Sequence, residues 1–554
     1  MSASSKKKLR REQEAAKLTE RQLTEQKEAK KLNLYTTLFV AVLVVLLVVA
    51  ATVGTMNTIK NSGIRERNTV AVTIGSHEVN NVEMNYFYID AINSFLSQYG
   101  SYASLFGLDT HLPLNEQMVN EESGQTWADD FLENATENAK SVYALLDEAN
   151  AAGFTMPADR QTEIDYMASN IQLYASLYGY ADADSYLKAM YGNGSSLESY
   201  IQYMTNSTLA DAYYNAYAQG LTYEDDELRA AEAENYNEYS SFSYNYYYLA
   251  ANKFLEGGTE SEDGVLTFSD EEKAASVEAA KAAADSLVAD TVDSVETFDA
   301  LINALSINEG SEVSSTACDD FLSSSVLSVA SDWITDESRA EGDMTVIPST
   351  STSTDADGNE VTTTNGYYVV YFRGSNDNTY PLANVRHILV SFEGGTYDET
   401  TGTTTYSDEE KAAAWTAAEE ILNTWKSGEA TEESFAALAN EKSTDTGSNT
   451  NGGLYEGIYP GQMVDEFENW CFDNRKVGDT GMVETTYGVH IMYYSGDHET
   501  TYRDYMITSK LMAEDITEWN DALLAAVTVT EGNTKYIAKD IVLEQDHDHD
   551  HDHE

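Results

Sequence analysis

Nine histidines and two cysteines are the side chains of this 554-residue chain best suited to proton-transfer, nucleophilic or metal chemistry. Four of the histidines alternate with aspartate in the closing "DHDHDHDHE", which leaves five for the rest of the chain. Alternating imidazoles and carboxylates can take Zn²⁺, Ni²⁺ or Cu²⁺ weakly, but a solvated tail offers no fixed coordination geometry. Cys318 and Cys471 are too few for a disulfide framework, and neither follows directly on an apolar run as a lipid-modified cysteine would. Two of the remaining histidines lie in apolar, strand-like runs: His387 in "NVRHILV" and His490 in "YGVHIMYY". A lone histidine in such a run is ordinarily a satisfied core residue. A pair within one domain-sized stretch asks for a shared site, without calling for a metal or cofactor.

The elements that must position this pair occur twice. "SDEEKAA" appears at Ser269–Ala275 and again at Ser407–Ala413, each time as an S-x-x-E capping box at a helix start. "EGGT" precedes both copies, at Glu256–Thr259 and Glu393–Thr396. Downstream, "ETFDALINALS" matches "ESFAALANEKS", Trp333 matches Trp470, Gly342-Asp343 matches Gly478-Asp479, and "NGYYVVYFRG" matches "YGVHIMYYSG". The order holds throughout, and the main length difference is a Ser/Thr-rich insert near Pro348–Thr364. The chain therefore carries two copies of a small α+β domain, 241–376 and 384–500, joined by "GSNDNTYPLA". Each copy reads as a strand, a capped helix, a second helix, a middle segment and two closing strands.

The second copy resembles the parvulin-type (PpiC/rotamase) peptidyl-prolyl cis-trans isomerases, whose sequences combine HILV, GG-L…G-M…F and a late YG-HI. "NVRHILV", "NGGLYEGIYPGQMVDEF" and "YGVHIMYY" supply that combination in order between Asn384 and Gly496. The resemblance implies a catalytic set of His387, His490, Thr485 and Asp445. For the last position an ungapped count from Gly452 would choose Thr446. It implies a proline pocket from Met463 and Phe467 with Phe472 behind them, and Tyr455 at a rim position where the family often has Leu. An X–Pro bond needs only a twist about C–N, so an apolar cradle and a polar network suffice, without nucleophile or metal. In the first copy Tyr368 replaces His490, the place of His387 falls at or beside Ala250, Gly452-Gly453 become Ser315-Thr316, Met463 becomes Val326 and Phe467 becomes Ala330. That copy is expected to be inactive, as a spacer or client-binding surface. The loop "SFEGGTYDETTGTTTY" is acidic and lacks Lys or Arg, which argues against phosphoserine-proline selectivity.

The rest of the chain fits a SurA/PrsA-like extracytoplasmic foldase by layout. Residues 1–31 hold 10 Lys/Arg against 5 Asp/Glu, and the uncharged run Leu32–Met56 is long enough to cross a membrane. The long polar leader favours an uncleaved anchor at 34–56 over a cleaved signal, with a cytoplasmic tail at 1–33 and the bulk of the chain outside the cell membrane. From "VAVTIG" onward, 66–240 reads as a mainly helical chaperone-like lobe, and the helix and strand-like "VTVT…KYIAKDIVL" of 501–544 return to it, leaving 545–554 as the Asp/His tail. The Tyr- and Met-rich helical stripes read first as core packing and second as adaptable surface for unfolded clients. A formal charge of -62 excludes nucleic acid as a partner. The expected partners are unfolded exported proteins with X–Pro bonds, with weak metal binding by the tail as a side reading. The alternative function is a non-catalytic holdase built on the same modules.

Overall fold

The computed structural model describes residues 63–543 apart from 261–264, 290–291, 356–357 and 399–400. The basic tail, the apolar span at 34–56 and the Asp/His tail lie outside the described residues. Among the described residues no helix is long and apolar enough to cross a membrane. The chain forms two compact units, one running to Thr222 and resuming at Met512, the other Tyr223–Leu511.

In the first unit, β1 (Val70–Ile74) pairs with β2 (His77–Asn80) and leads into α1 (Asn81–Tyr99). The Asn80 side chain starts α1 by accepting from the Val82 and Glu83 amides, two donors that the first turn cannot satisfy internally. Four helices follow: α2 (Trp127–Ala151), α3 (Ala158–Leu177), α4 (Ala183–Tyr191) and α5 (Leu197–Gly220). Tyr86 packs edge-on against Tyr191 and Tyr200, with ring centroids 5.0 and 5.3 Å away, so these tyrosines are core. On α3, by contrast, Tyr166, Leu173 and Leu177 face solvent, 59%, 62% and 69% exposed.

The second unit opens with α6 (Asp225–Glu234) and then repeats one topology. The first copy runs β3 (Ser241–Ala250), α7 (Asp270–Leu287), α8 (Val295–Asn303), β4 (Thr316–Leu322), β5 (Met344–Thr354) and β6 (Glu360–Asn376). The second runs β7 (Pro381–Ser391), α9 (Asp408–Ser427), α10 (Glu432–Lys442), β8 (Leu454–Ile458), α11 (Asp465–Phe472), β9 (Thr480–Thr485) and β10 (Gly488–Thr501). The sheets are ordered β4-β3-β6-β5 and β8-β7-β10-β9, antiparallel throughout. The "middle segment" thus supplies an edge strand in each copy, an element the sequence pattern did not single out. Helices cover one face of each sheet, burying Phe298 and Ile302 in the first and Phe435 and Trp425 in the second.

The repeated EGGT has a physical reason. In each copy the capping glutamate, Glu272 or Glu410, binds the Ser269 or Ser407 amide with one oxygen and the amide of Gly258 or Gly395 with the other. Gly394 and Gly395 have φ of +88° and +84°, and a Cβ on Gly394 would stand 2.3 Å from the Glu410 carboxylate. Only glycine fits there.

After β10 the chain enters α12 (Tyr502–Ala525), which leaves the second unit at Leu511, and then β11 (Val529–Glu531), which pairs with β1. α6, the turn after it at Tyr236–Tyr239 and the start of α12 are tied within the second unit by Arg503–Glu232, Arg229–Asp504 and Lys510–Glu238 ion pairs. One expectation is corrected here: "KYIAKDIVL" is not a strand. The side-chain amides of Asn81 and Asn85, one turn apart on α1, take the backbone of Asn533, Tyr536 and Ala538 where a neighbouring strand would have done so.

Candidate active site

β7 and β10 are adjacent, with His387 opposite Met492 and His490 opposite Leu389. Both histidines therefore point to the sheet face away from α9 and α10. Their rings stack at 5.1 Å between centroids, and the two Nδ1 atoms are 3.0 Å apart. His387 Nε2 lies 2.9 Å from Asp445 Oδ2 and 3.1 Å from Ser448 Oγ, while His490 Nε2 lies 2.8 Å from Thr485 Oγ1. Thr485 Oγ1 also accepts from the Tyr487 amide. Of the alternatives at the carboxylate position, Asp445 rather than Thr446 meets the histidine.

The partners at the two ends assign the protons in between. Burial pushes the Asp445 carboxyl up, but hydrogen bonds from His387 and Ser448, the attraction of His387 and the Tyr455 hydroxyl outweigh it and hold the group well below the usual carboxylate range. An ionised Asp445 needs a donor, so His387 Nε2 carries the hydrogen and its Nδ1 accepts. His490 Nδ1 then donates to His387, its Nε2 accepts, and the Thr485 hydroxyl donates to it. Burial lowers the His490 pKa to about 3, the neighbouring His387 adding to the effect and Asp445 opposing it. The ring is neutral at any ordinary pH.

Phe467 on α11 forms the wall of the site, edge-on to both imidazoles at 5.3 Å. Met463 packs beside it, partly buried, in the cluster with Ala383, Trp470 and Met492. Tyr455 on β8 is more than a rim residue: its ring stacks on His387 at 5.2 Å and its hydroxyl donates to Asp445 Oδ2 at 2.8 Å. Phe472 belongs to the same apolar cluster but meets Tyr380 edge-on at 5.9 Å, away from the imidazoles. Ser448 went unnoticed in the sequence, although it is buried and bonds to both His387 and Asp445. Its place depends on a loop closed by backbone contacts. The His387 amide donates to Gly453 O, and a Cβ on Gly453 would come 2.1 Å from His387 O. The Gly-Gly pair is what lets the loop approach the strand.

In the first copy the strand register corrects one correspondence. Tyr368 faces Tyr248 as His490 faces Leu389, so the counterpart of His387 is Tyr246, not Ala250. A helical turn at Ala251–Phe254 lengthens this copy between the strand and EGGT, and a count back from EGGT slips by four residues. Ser315-Thr316 do fall at Gly452-Gly453 by the pairing of β3 with β4. The shell persists: Arg339 covers Trp333 at 4.9 Å as Arg475 covers Trp470 at 4.7 Å.

A family model described as the PPIC-type PPIASE domain matches residues 367–496, from within β6 to the middle of β10. The matches place a parvulin-type isomerase domain in this stretch, similar to that of the PrsA foldases. Foldase protein PrsA 1 of Listeria innocua is 37% identical over 113 residues, covering 20% of this chain and 30% of that protein. Foldase protein PrsA 3 of Bacillus cereus is 52% identical over 62 residues, covering 11% of this chain and 21% of that protein. The chain thus spans less than a third of the length of these relatives. A crystal structure of the peptidylprolyl isomerase PrsA from Bacillus cereus is 26% identical, over 30% of this chain and 59% of that one, with a TM-score of 0.17. At that score the overall superposition carries no argument.

Proposed function

We propose that this chain is a membrane-anchored, extracytoplasmic peptidyl-prolyl cis-trans isomerase of the parvulin type that assists the folding of exported proteins. The observation that carries this reading is the buried relay from the Tyr487 amide through Thr485, His490 and His387 to Asp445, lying against Phe467 inside the matched stretch. Residues 384–500 act as the isomerase, 241–376 as a degenerate partner, and the first unit as a chaperone lobe. The span at 34–56 is the anchor, with 1–33 in the cytoplasm.

Rotation about an X–Pro bond meets a barrier of about 20 kcal/mol, set by amide resonance. The planar imide is the more polar state, and twisting localises its electrons. An apolar wall of Phe467 and Met463 holds the pyrrolidine ring and removes water that would otherwise favour the planar dipole. All four imidazole nitrogens are engaged with neighbours in the relay, so the rings hold shape and field, and no ring proton is free for transfer. The substrates are X–Pro segments of unfolded exported polypeptides.

The test is a coupled proline-peptide assay on residues 63–543. Wild type should accelerate isomerisation, and Phe467→Ala should lower kcat/KM by about tenfold or more, chiefly through KM, since it removes ring binding. No acceleration by wild type would refute the enzymatic reading. Protease treatment of intact cells should cut the bulk of the chain and spare 1–33; the reverse would refute the topology. The exposed stripe of Tyr166, Leu173 and Leu177 favours a second, non-catalytic role in holding clients. Suppression of client aggregation should survive loss of turnover but fall in Leu173→Glu/Leu177→Glu; unchanged suppression would exclude that stripe.

A further inference from the structure

The substitutions that remove the imidazoles from the first copy also rebuild its floor. By register Tyr244 stands where the second copy has Val385, and by the repeat alignment Ala330 stands in the place of Phe467 and Val326 in that of Met463. Bulk has moved from the wall to the floor. Tyr244 is fully buried, its hydroxyl accepts from the Leu327 amide at 2.8 Å, and it packs in one cluster with Val326 and Ala330. Farther along the same sheet face Tyr368 packs against both Tyr246 and Tyr248, with ring centroids 5.8 and 4.6 Å away. All three are only partly buried, and Phe321, edge-on to Tyr244 at 6.5 Å, is 39% exposed. Two imidazoles against an apolar wall have given way to a tray of partly exposed tyrosines.

Flat aromatic rings with peripheral hydroxyls suit a polyproline II segment. Its prolines stack on the rings, its backbone carbonyls point outward and unbonded, and its stiffness leaves little entropy to lose. Charge selects among such segments. Residues 241–376 carry 25 Asp/Glu against 5 Lys/Arg, so an extended chain bearing Lys or Arg is attracted. Another molecule of this chain, at -62, is repelled.

We propose that the first copy is a proline-binding module without isomerase activity, whose tray of Tyr246, Tyr248 and Tyr368 docks an extended, proline-containing, basic polypeptide segment. The isomerase reading enters only through the equivalence of the tray with the cleft of the second copy. The tray would hold one stretch of an unfolded client while another reaches the cleft.

Isothermal titration of residues 63–543 with a 12-residue Lys-Pro-Pro repeat peptide tests this. Wild type should bind at two sites. Tyr246→Ala/Tyr368→Ala should lose one site or weaken it at least tenfold, while turnover of a short X–Pro tetrapeptide stays at the wild-type level. Tyr246→Phe/Tyr368→Phe keeps the rings and should retain most of the affinity, and a Glu-Pro-Pro repeat should bind at least tenfold more weakly than the lysine peptide. If the double alanine variant folds poorly, Tyr248→Ala alone should weaken the same site. Binding that is unchanged in a folded tray variant would overturn the proposal, whether wild type shows one site or two. Failure of the isomerase reading would show separately, as absent turnover with tray binding intact.

Discussion

At the scale of single residues, the site depends on two fully partnered imidazoles, of which His490 is held uncharged by burial. His490 has a folded-state pKa near 3 against an ordinary 6.5. Between those values the unfolded chain takes up a proton that the folded one refuses, so stability falls as pH falls through that window. The shift bounds the effect at about 5 kcal/mol. Chemical denaturation at pH 7.5, 6 and 5 should show the decline, and His490→Gln should flatten it; an equal slope in both would exclude His490 as the cause. Burial keeps His490 uncharged from pH 8 to pH 6, so its protonation should add no slope to turnover over that range. Phe467→Ala should also cost about 3–5 kcal/mol, since the ring is largely buried and packs against both imidazoles, so its kcat/KM is read on protein shown to be folded. Much of this site could be read in the sequence, because His387, His490, Met463 and Phe467 sit in motifs of fixed order. Ser448 could not, since its reach to Asp445 is created by the fold of a loop. Nor could Tyr246, whose position is set by hydrogen-bond register and hidden by a four-residue lengthening nearby.

At the scale of elements, the two copies share one device for starting the long helix, and it links a sequence repeat to a backbone requirement. Gly394→Ala forces a side chain into a left-handed position and against the Glu410 carboxylate, so it should destabilise the unit by about 1–3 kcal/mol. Ser407→Ala should cost about 1 kcal/mol by removing the cap. Urea titration of each variant measures both, and a Gly394→Ala variant as stable as wild type would show that the loop can relax. The capped helices and inner strands were legible because their periodicity and caps are local. The edge strands β4 and β8 were not, since they are short and gain their identity only by pairing with β3 and β7. The final segment misled for a related reason: its apolar residues Ile537, Ile541 and Leu543 are buried, but side-chain amides rather than a strand hold its backbone.

At the scale of the whole molecule, the second unit is tied together where its chain segments meet. Arg503 is fully buried, ion-paired to Glu232, and donates to the carbonyls of Tyr236 at 2.6 Å and Asp377 at 2.9 Å. Its guanidinium also lies 3.8 Å above the Tyr236 ring. It thereby joins the segment entering the first copy, the link between copies and the start of α12. Nothing in "TYRDYM" marks this residue, because its partners are over a hundred positions away in sequence. Arg503→Ala should cost about 3–5 kcal/mol by taking the buried partner from Glu232, which keeps only Arg229, and by leaving the carbonyls unbonded, read as a lower thermal midpoint of the unit. The central proposal is that one of two similar sheets, the one carrying the paired imidazoles, eases rotation about X–Pro bonds. The direct measurement is the isomerisation rate of a proline tetrapeptide with residues 63–543, as wild type and as His387→Ala/His490→Ala. The account predicts a wild-type kcat/KM at least tenfold above that of the folded double variant. Equal rates in the two proteins would contradict it.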